Sequence, residues 1–75
     1  MAIHISDLKI IALNGGGMML DARKYHVSDL KIIALNAASS GAKIYLYNIE
    51  AIHVSDLKII ALNSKGCVIF NLLEN

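Results

Sequence analysis

Apolar and polar positions follow two periods along this chain, and one repeated pattern sets the longer of them. The stretch His4-Ile5-Ser6-Asp7-Leu8-Lys9-Ile10-Ile11-Ala12-Leu13-Asn14 returns at residues 26–36 and 53–63, changed only where Ile5 becomes Val27 and Val54. Within it Leu8, Ile11 and Ala12 fall inside about 100° of arc at helical spacing, one apolar stripe able to face a core. Leu30, Ile33 and Ala34 repeat that stripe in the second copy. Ser28 ahead of the stripe is a good N-cap, because a hydroxyl there satisfies an orphan amide of the first turn. Asp29 then lies at the positive end of the helix dipole. Val27 before the cap and Ile32 beyond it have the arrangement of a hydrophobic staple. Gly41 stands just past the expected end, where a left-handed residue is wanted. Glycines 15–17 and Gly66 should stop the other two copies about one turn sooner. These signals predict helices over residues 6–14, 28–39 and 55–64. A strand reading would set Leu8, Ile10 and Ala12 against Lys9, Ile11 and Leu13; the cap, the aspartate and the glycines favour helix.

Between the copies the period shortens to two. Met18, Leu20 and Ala22 fall on one side of a short stretch and Asp21 on the other. Residues 43–48 are the clearest strand, rich in β-forming side chains, with Ile44 and Leu46 toward the helices and Tyr45 and Tyr47 away. Residues 67–72 predict the last strand. The order helix, strand, three times over, gives an α/β fold. Three repeats of about residues 4–25, 26–52 and 53–75 form one domain over 1–75. A short parallel sheet carries the helices on one face, with right-handed crossovers. Repeats that start at His4, His26 and His53 have the spacing of solenoids built from one supersecondary unit.

Leu-Lys-Ile-Ile-Ala-Leu-Asn at residues 8–14 resembles a fragment of the leucine-rich repeat pattern, over about seven residues per repeat. In that family such residues form the strand and turn, so this resemblance implies the reverse assignment. Over nearly the whole chain, the Ser-Asp pair opening each helix and the glycine closing it resemble compact bacterial α/β repeat solenoids.

The linkers at 15–25, 37–52 and 64–75 share only a loose pattern, whereas the repeated element is nearly invariant. Three elements are therefore required to present the same side chains. Lys9, Ile10, Leu13 and Asn14 occupy the half of the helix opposite the core stripe. Ile10 can reach Ile5, but Leu13 has no such neighbour. Stacking the repeats places Ile10, Leu13, Ile32, Leu35, Ile59 and Leu62 on one outer surface. Lys9, Lys31 and Lys58 flank it, and Asn14, Asn36 and Asn63 line its other border. Large contiguous apolar patches usually mark interaction surfaces, and one that repeats suits closed self-association, a two-fold dimer being the commonest case. The expected function is that of a structural protein whose partner is itself. The selective identity also suggests engineering, a chosen helix face written onto a diverged scaffold. The other reading is a natural peptide- or protein-binding solenoid that uses the open sheet face around Tyr45 and Tyr47.

Composition supports burial against further copies. The chain is 56% hydrophobic and 17% charged, against about 45–50% and about 25% in ordinary soluble domains. A net charge of +1 provides no electrostatic footprint for nucleic acid or an anionic membrane. One cysteine cannot form an internal disulfide. No signal-peptide pattern and no membrane-length apolar run are found, so a soluble, cytoplasmic protein is expected. The outer sheet edges invite end-to-end pairing into longer arrays.

Candidate chemistry is thin. His4, His26 and His53 hold equivalent positions, and three histidines can form a metal site. A column at strand spacing, about 4.8 Å, suits a row better than a tetrahedral cage, and polar residues leading into caps account for them. Asp7, Asp29 and Asp56 as bases, or Ser6, Ser28 and Ser55 as nucleophiles, are explained by the helix start, and the serines lack elbow glycines. Glycines 15–17 lack both the dinucleotide fingerprint and the phosphate-loop lysine. Cys67 reads as a small buried hydrophobe. No catalytic constellation remains; no enzyme activity, metal, cofactor or small-molecule substrate is expected.

Overall fold

The structure is a computed structural model and describes residues 3–73; positions 1–2 and 74–75 of the expected domain lie outside the described residues. The elements are α1 (Ile5–Leu13), β1 (Met18–Asp21), α2 (Val27–Ser40), β2 (Ile44–Tyr47), α3 (Val54–Ser64) and β3 (Val68–Phe70), with 3₁₀ turns at Ala22–Lys24 and Ile49–Ala51. The alternation expected from the two periods is present. The repeated stretch is helical in all three copies, so the strand-and-turn assignment implied by the leucine-rich likeness does not apply.

The helices begin earlier than the serine caps predicted. His4, His26 and His53 are the extended residues before each helix, which puts Ser6, Ser28 and Ser55 inside the first turn. Each histidine carbonyl accepts the amide three residues on, from Asp7, Asp29 and Asp56 at 2.9–3.0 Å. At the third helix the His53 Nδ1 also accepts the Ser55 amide, at 3.3 Å. In α3 that ring nitrogen does what a serine hydroxyl would have done; the histidines before α1 and α2 make no side-chain cap. Val27 is accordingly the first helical residue, not the one before a cap, and the Val27–Ile32 staple does not arise.

At the other end, α2 closes on Gly41 at φ 84°, whose amide donates to the Ala37 carbonyl at 2.7 Å. That left-handed stop is what the sequence called for. The helices are 9, 14 and 11 residues long, so α1 and α3 are shorter by about a turn. Gly16 permits the tight exit from α1, because a Cβ there would lie 2.5 Å from Ile11 Cγ2.

The three strands are parallel in the order β1-β2-β3, with Met18, Ile44 and Val68 in register and Leu20, Leu46 and Phe70 two residues on. Those side chains face the helices; Ile44, Leu46, Leu20 and Val68 are buried. Met19, Tyr45 and Ile69 share the opposite, exposed face, as period two requires. From the helices, Leu8, Ala12, Leu30, Ile33, Ala34, Ala37 and Ile60 complete the core. Helix axes cannot approach much closer than about 8 Å, whereas strands lie about 4.8 Å apart. One helix per strand therefore crowds the helix layer, and the fully enclosed Ala12, Ala34 and Ala37 answer that constraint. Principal extents of 30 × 28 × 21 Å and a radius of gyration of 11.0 Å describe a compact α/β globule; the elongation of a solenoid is not seen.

Candidate functional site

A helical wheel set by the observed starts fixes how each copy meets its neighbours. At the angular step of an α-helix, Ile11, Leu8 and Ala12 group on the side that faces the core. Asn14 falls beside Asp7, on one flank of that group. Lys9 falls on the opposite flank. Leu13 and Ile10 straddle the direction away from the sheet. Each helix thus has an aspartate–asparagine flank, a lysine flank and an outer ridge of one leucine and one isoleucine.

The flanks meet across the seams between helices. Lys9 Nζ lies 2.8 Å from Asp29 Oδ1, and the Asn36 amide donates to the Lys9 carbonyl at 2.8 Å. The next seam repeats this, with Lys31 Nζ 3.1 Å from Asp56 Oδ1 and Asn63 donating to the Lys31 carbonyl at 3.5 Å. The Ser40 hydroxyl donates to the Ala12 carbonyl near the end of α1, which also accepts the Gly15 amide at 3.1 Å. Of the residues assigned from sequence to the borders of an outer surface, Lys9, Lys31, Asn36 and Asn63 are therefore engaged between helices of the same chain. Asn14 and Lys58, on the outer flanks of the first and last helices, are exposed. In each copy aspartate and lysine lie two residues apart, about 200° around the helix, which sets them on opposite flanks and is the signal for their pairing between neighbouring copies.

The outer ridge is open. Ile10, Leu13, Ile32, Leu35, Ile59 and Leu62 are 56, 49, 40, 52, 41 and 76% exposed. The variation follows the wheel. Ile10 is the most exposed isoleucine of the ridge because, among the described residues, no helix covers the aspartate flank of α1. Leu62 is the most exposed leucine of the ridge because, among the described residues, none covers the lysine flank of α3. All six thus lie exposed on the side of the helices away from the core, with the polar pairs of the seams between neighbouring helices.

A second apolar surface lies on the sheet side. Met19, Tyr45 and Ile69 form a row across the strands, and Tyr45, Tyr47, Ile69, Phe70, Leu72 and Leu73 border a cleft of about 450 Å³. Tyr45 and Tyr47 were expected here; Met19 and Ile69, readable from the same period of two, were not.

The remaining polar groups are accounted for locally. Arg23 closes on Asp21 through its guanidinium, at 2.8 Å from Nη2 to Oδ2, and through its amide, at 3.0 Å to Oδ1. Those hydrogen bonds hold the Asp21 carboxyl well below the usual carboxylate range and raise Arg23 in turn. The histidines are exposed at the helix starts, and Cys67 is buried as a free thiol. Among the described residues no three histidine, cysteine or acidic side chains gather as a metal site, and no helix is long and apolar enough to cross a membrane. Comparison with protein-family models, curated proteins and solved structures finds no match to this chain.

Proposed function

We propose that this chain is a structural, non-catalytic protein that self-associates through the outer face of its three identical helices, as a two-fold homodimer. The observation that carries this is the outer ridge: six large apolar side chains on one face, each at least 40% exposed. A solvated helix layer would place charged residues there. A two-layer fold is thinnest across its layers, so the extents of 30 and 28 Å span its broad face. Such a face is large enough for the about 800 Å² per partner of a standard interface. The seams supply a physical reason for the identity of the copies, whatever the origin of the chain. The middle helix must serve as lysine flank to one neighbour and aspartate flank to the other.

The test is molar mass in solution by light scattering after size exclusion. The chain should elute at twice 8.1 kDa or more at high micromolar concentration, and Leu13→Lys, Leu35→Lys and Leu62→Lys together should abolish association through this face and lower the mass. A single-chain mass at all concentrations refutes the proposal. The sheet face supports a second reading, a peptide-binding surface, because of its apolar cleft. In that case the triple change leaves the mass unaltered, and Tyr45→Ala with Tyr47→Ala abolishes peptide binding.

A further inference from the structure

The three copies form an internal comparison, the same residues with different neighbours. Every seam inside the chain joins the lysine flank of one helix to the aspartate–asparagine flank of the next. The first helix turns its aspartate flank outward. Asp7 and Asn14 are exposed, and among the described residues their side chains have no hydrogen-bond or ion-pair partner. Ile11 is only half-buried, whereas its counterparts Ile33 and Ile60 are enclosed. A cleft of about 500 Å³ opens beside it, between α1 and β1, lined by Leu8, Ile11, Met18, Leu20 and Tyr25 among others.

The last helix turns its lysine flank outward. Lys58 is exposed and unpaired among the described residues. Leu57 is half-buried and Ala61 exposed, where their counterparts Leu30 and Ala34 in the middle helix are buried. The sheet ends the same way, with β1 and β3 each paired on one side only. One end of the stack lacks what the other end offers.

We infer that the two ends bind each other between chains: α3 and β3 of one copy dock against α1 and β1 of the next, continuing both the sheet and the helix layer. Lys58 then pairs with Asp7 of the following copy, and Asn14 of that copy donates to the Lys58 carbonyl. Ile11 of the following copy is covered by Leu57 and Ala61. The occupant is a second copy of this chain because the contact is the one already made twice within it, with matching charge and register. The contact is heterologous, so two copies leave one end of each kind still open and the series continues. It uses the flanks of α1 and α3, not the outer ridge, and it stands independently of the face-to-face dimer.

Charge reversal tests it. Sedimentation velocity over a concentration series should show the weight-average mass of the unaltered chain rising past two copies. Lys58→Glu or Asp7→Lys alone should weaken that growth about tenfold, since an attraction becomes a repulsion. Lys58→Asp combined with Asp7→Lys should restore it. Both residues are exposed, and unchanged far-UV circular dichroism melts would confirm that the fold is kept. Alternate residues of a parallel strand bond to opposite neighbours. The Ile44 amide donates to the Cys67 carbonyl and the Asn71 amide to Leu46, which leaves the amides of Val68 and Phe70 pointing outward. Their hydrogen exchange should slow as concentration rises. Leu35→Lys separates the two contacts: it should remove face-to-face association and spare the charge-sensitive series. A mass that saturates at two copies, single reversals without effect, failed restoration by the swap, or concentration-independent exchange at Val68 and Phe70 would each overturn the inference.

Discussion

Replacing Ile11, Ile33 and Ile60 one at a time with alanine puts the same question to one sequence in three surroundings. The capping residue, the neighbours along the chain and the intrinsic helix preference are the same at each site, so any difference in cost comes from packing alone. Ile33 and Ile60 are 1% and 0% exposed, whereas Ile11 is half-buried at the open flank of α1. A buried isoleucine-to-alanine change costs about 2–5 kcal/mol, part for lost transfer energy and part for the cavity. The better helix propensity of alanine returns at most about 0.7 kcal/mol, equally at all three sites. We expect a net loss of about 3 kcal/mol at Ile33 and Ile60 and about half that at Ile11. A domain of this size has roughly 4–11 kcal/mol in total, scaled from typical per-residue stability. The two inner changes therefore lower the melting temperature by about 12–24 °C. Urea unfolding followed by circular dichroism, at a concentration where light scattering gives a single-chain mass, yields the three values with a common slope. Equal costs at the three positions would refute the idea that burial of this isoleucine depends on a neighbour at the aspartate flank.

Two further outcomes follow from the polar groups. Asn36→Ala should cost about 1 kcal/mol by removing a partly buried hydrogen bond to the Lys9 carbonyl. Asn63→Ala should cost less, since its bond is long at 3.5 Å; thermal melts of the two variants check the order, and equal losses would contradict it. Asp21, held low by Arg23, contributes stability above the ordinary carboxylate value of about 3.9 and loses it as pH falls through the folded-state value. In a carbon-detected NMR titration its midpoint should lie below about 3.9 and return toward that value in Arg23→Ala; an ordinary midpoint in the unaltered chain would contradict the pairing.

Much of the fold was legible because two periods are written cleanly into the chain. The three-to-four spacing of Leu30, Ile33 and Ala34 and the left-handed Gly41 identify a helix and its end. The alternation from Ile44 to Tyr47 identifies a strand and both its faces. The helix starts were harder: in His-Val-Ser-Asp, serine has the stronger capping preference, yet the histidine takes the position before the helix and serine falls inside the first turn. A preference for one residue type cannot fix a boundary to within two positions when several polar residues adjoin. The 3₁₀ turn at Ala22–Lys24 follows Asp21, whose carboxylate accepts the Arg23 amide, and the one at Ile49–Ala51 follows Asn48 in the left-handed region; both residue types favour turns, but neither period along the chain marks them. For the candidate site, Ile10, Leu13 and their copies could be seen to lie off the core stripe. The fate of Lys9 and Asn36 could not be seen from one helix alone. It depends on the flank presented by the neighbour, and only placing two copies side by side shows lysine opposite aspartate.

The central claim is that the outer helix ridge is covered by another copy, and Leu35 is the residue to watch. It lies on the middle helix, beyond the reach of any contact made at the ends of the stack. A sample mixing methyl-labelled and unlabelled chains, read by isotope-filtered NOE spectroscopy, reports only contacts between chains. Cross-chain NOEs to the methyl groups of Leu35 and Ile32 are the predicted result. An oligomer whose cross-chain NOEs involve Met19, Tyr45 and Ile69 and spare Leu35, or a sample with no cross-chain NOEs at millimolar concentration, would contradict it.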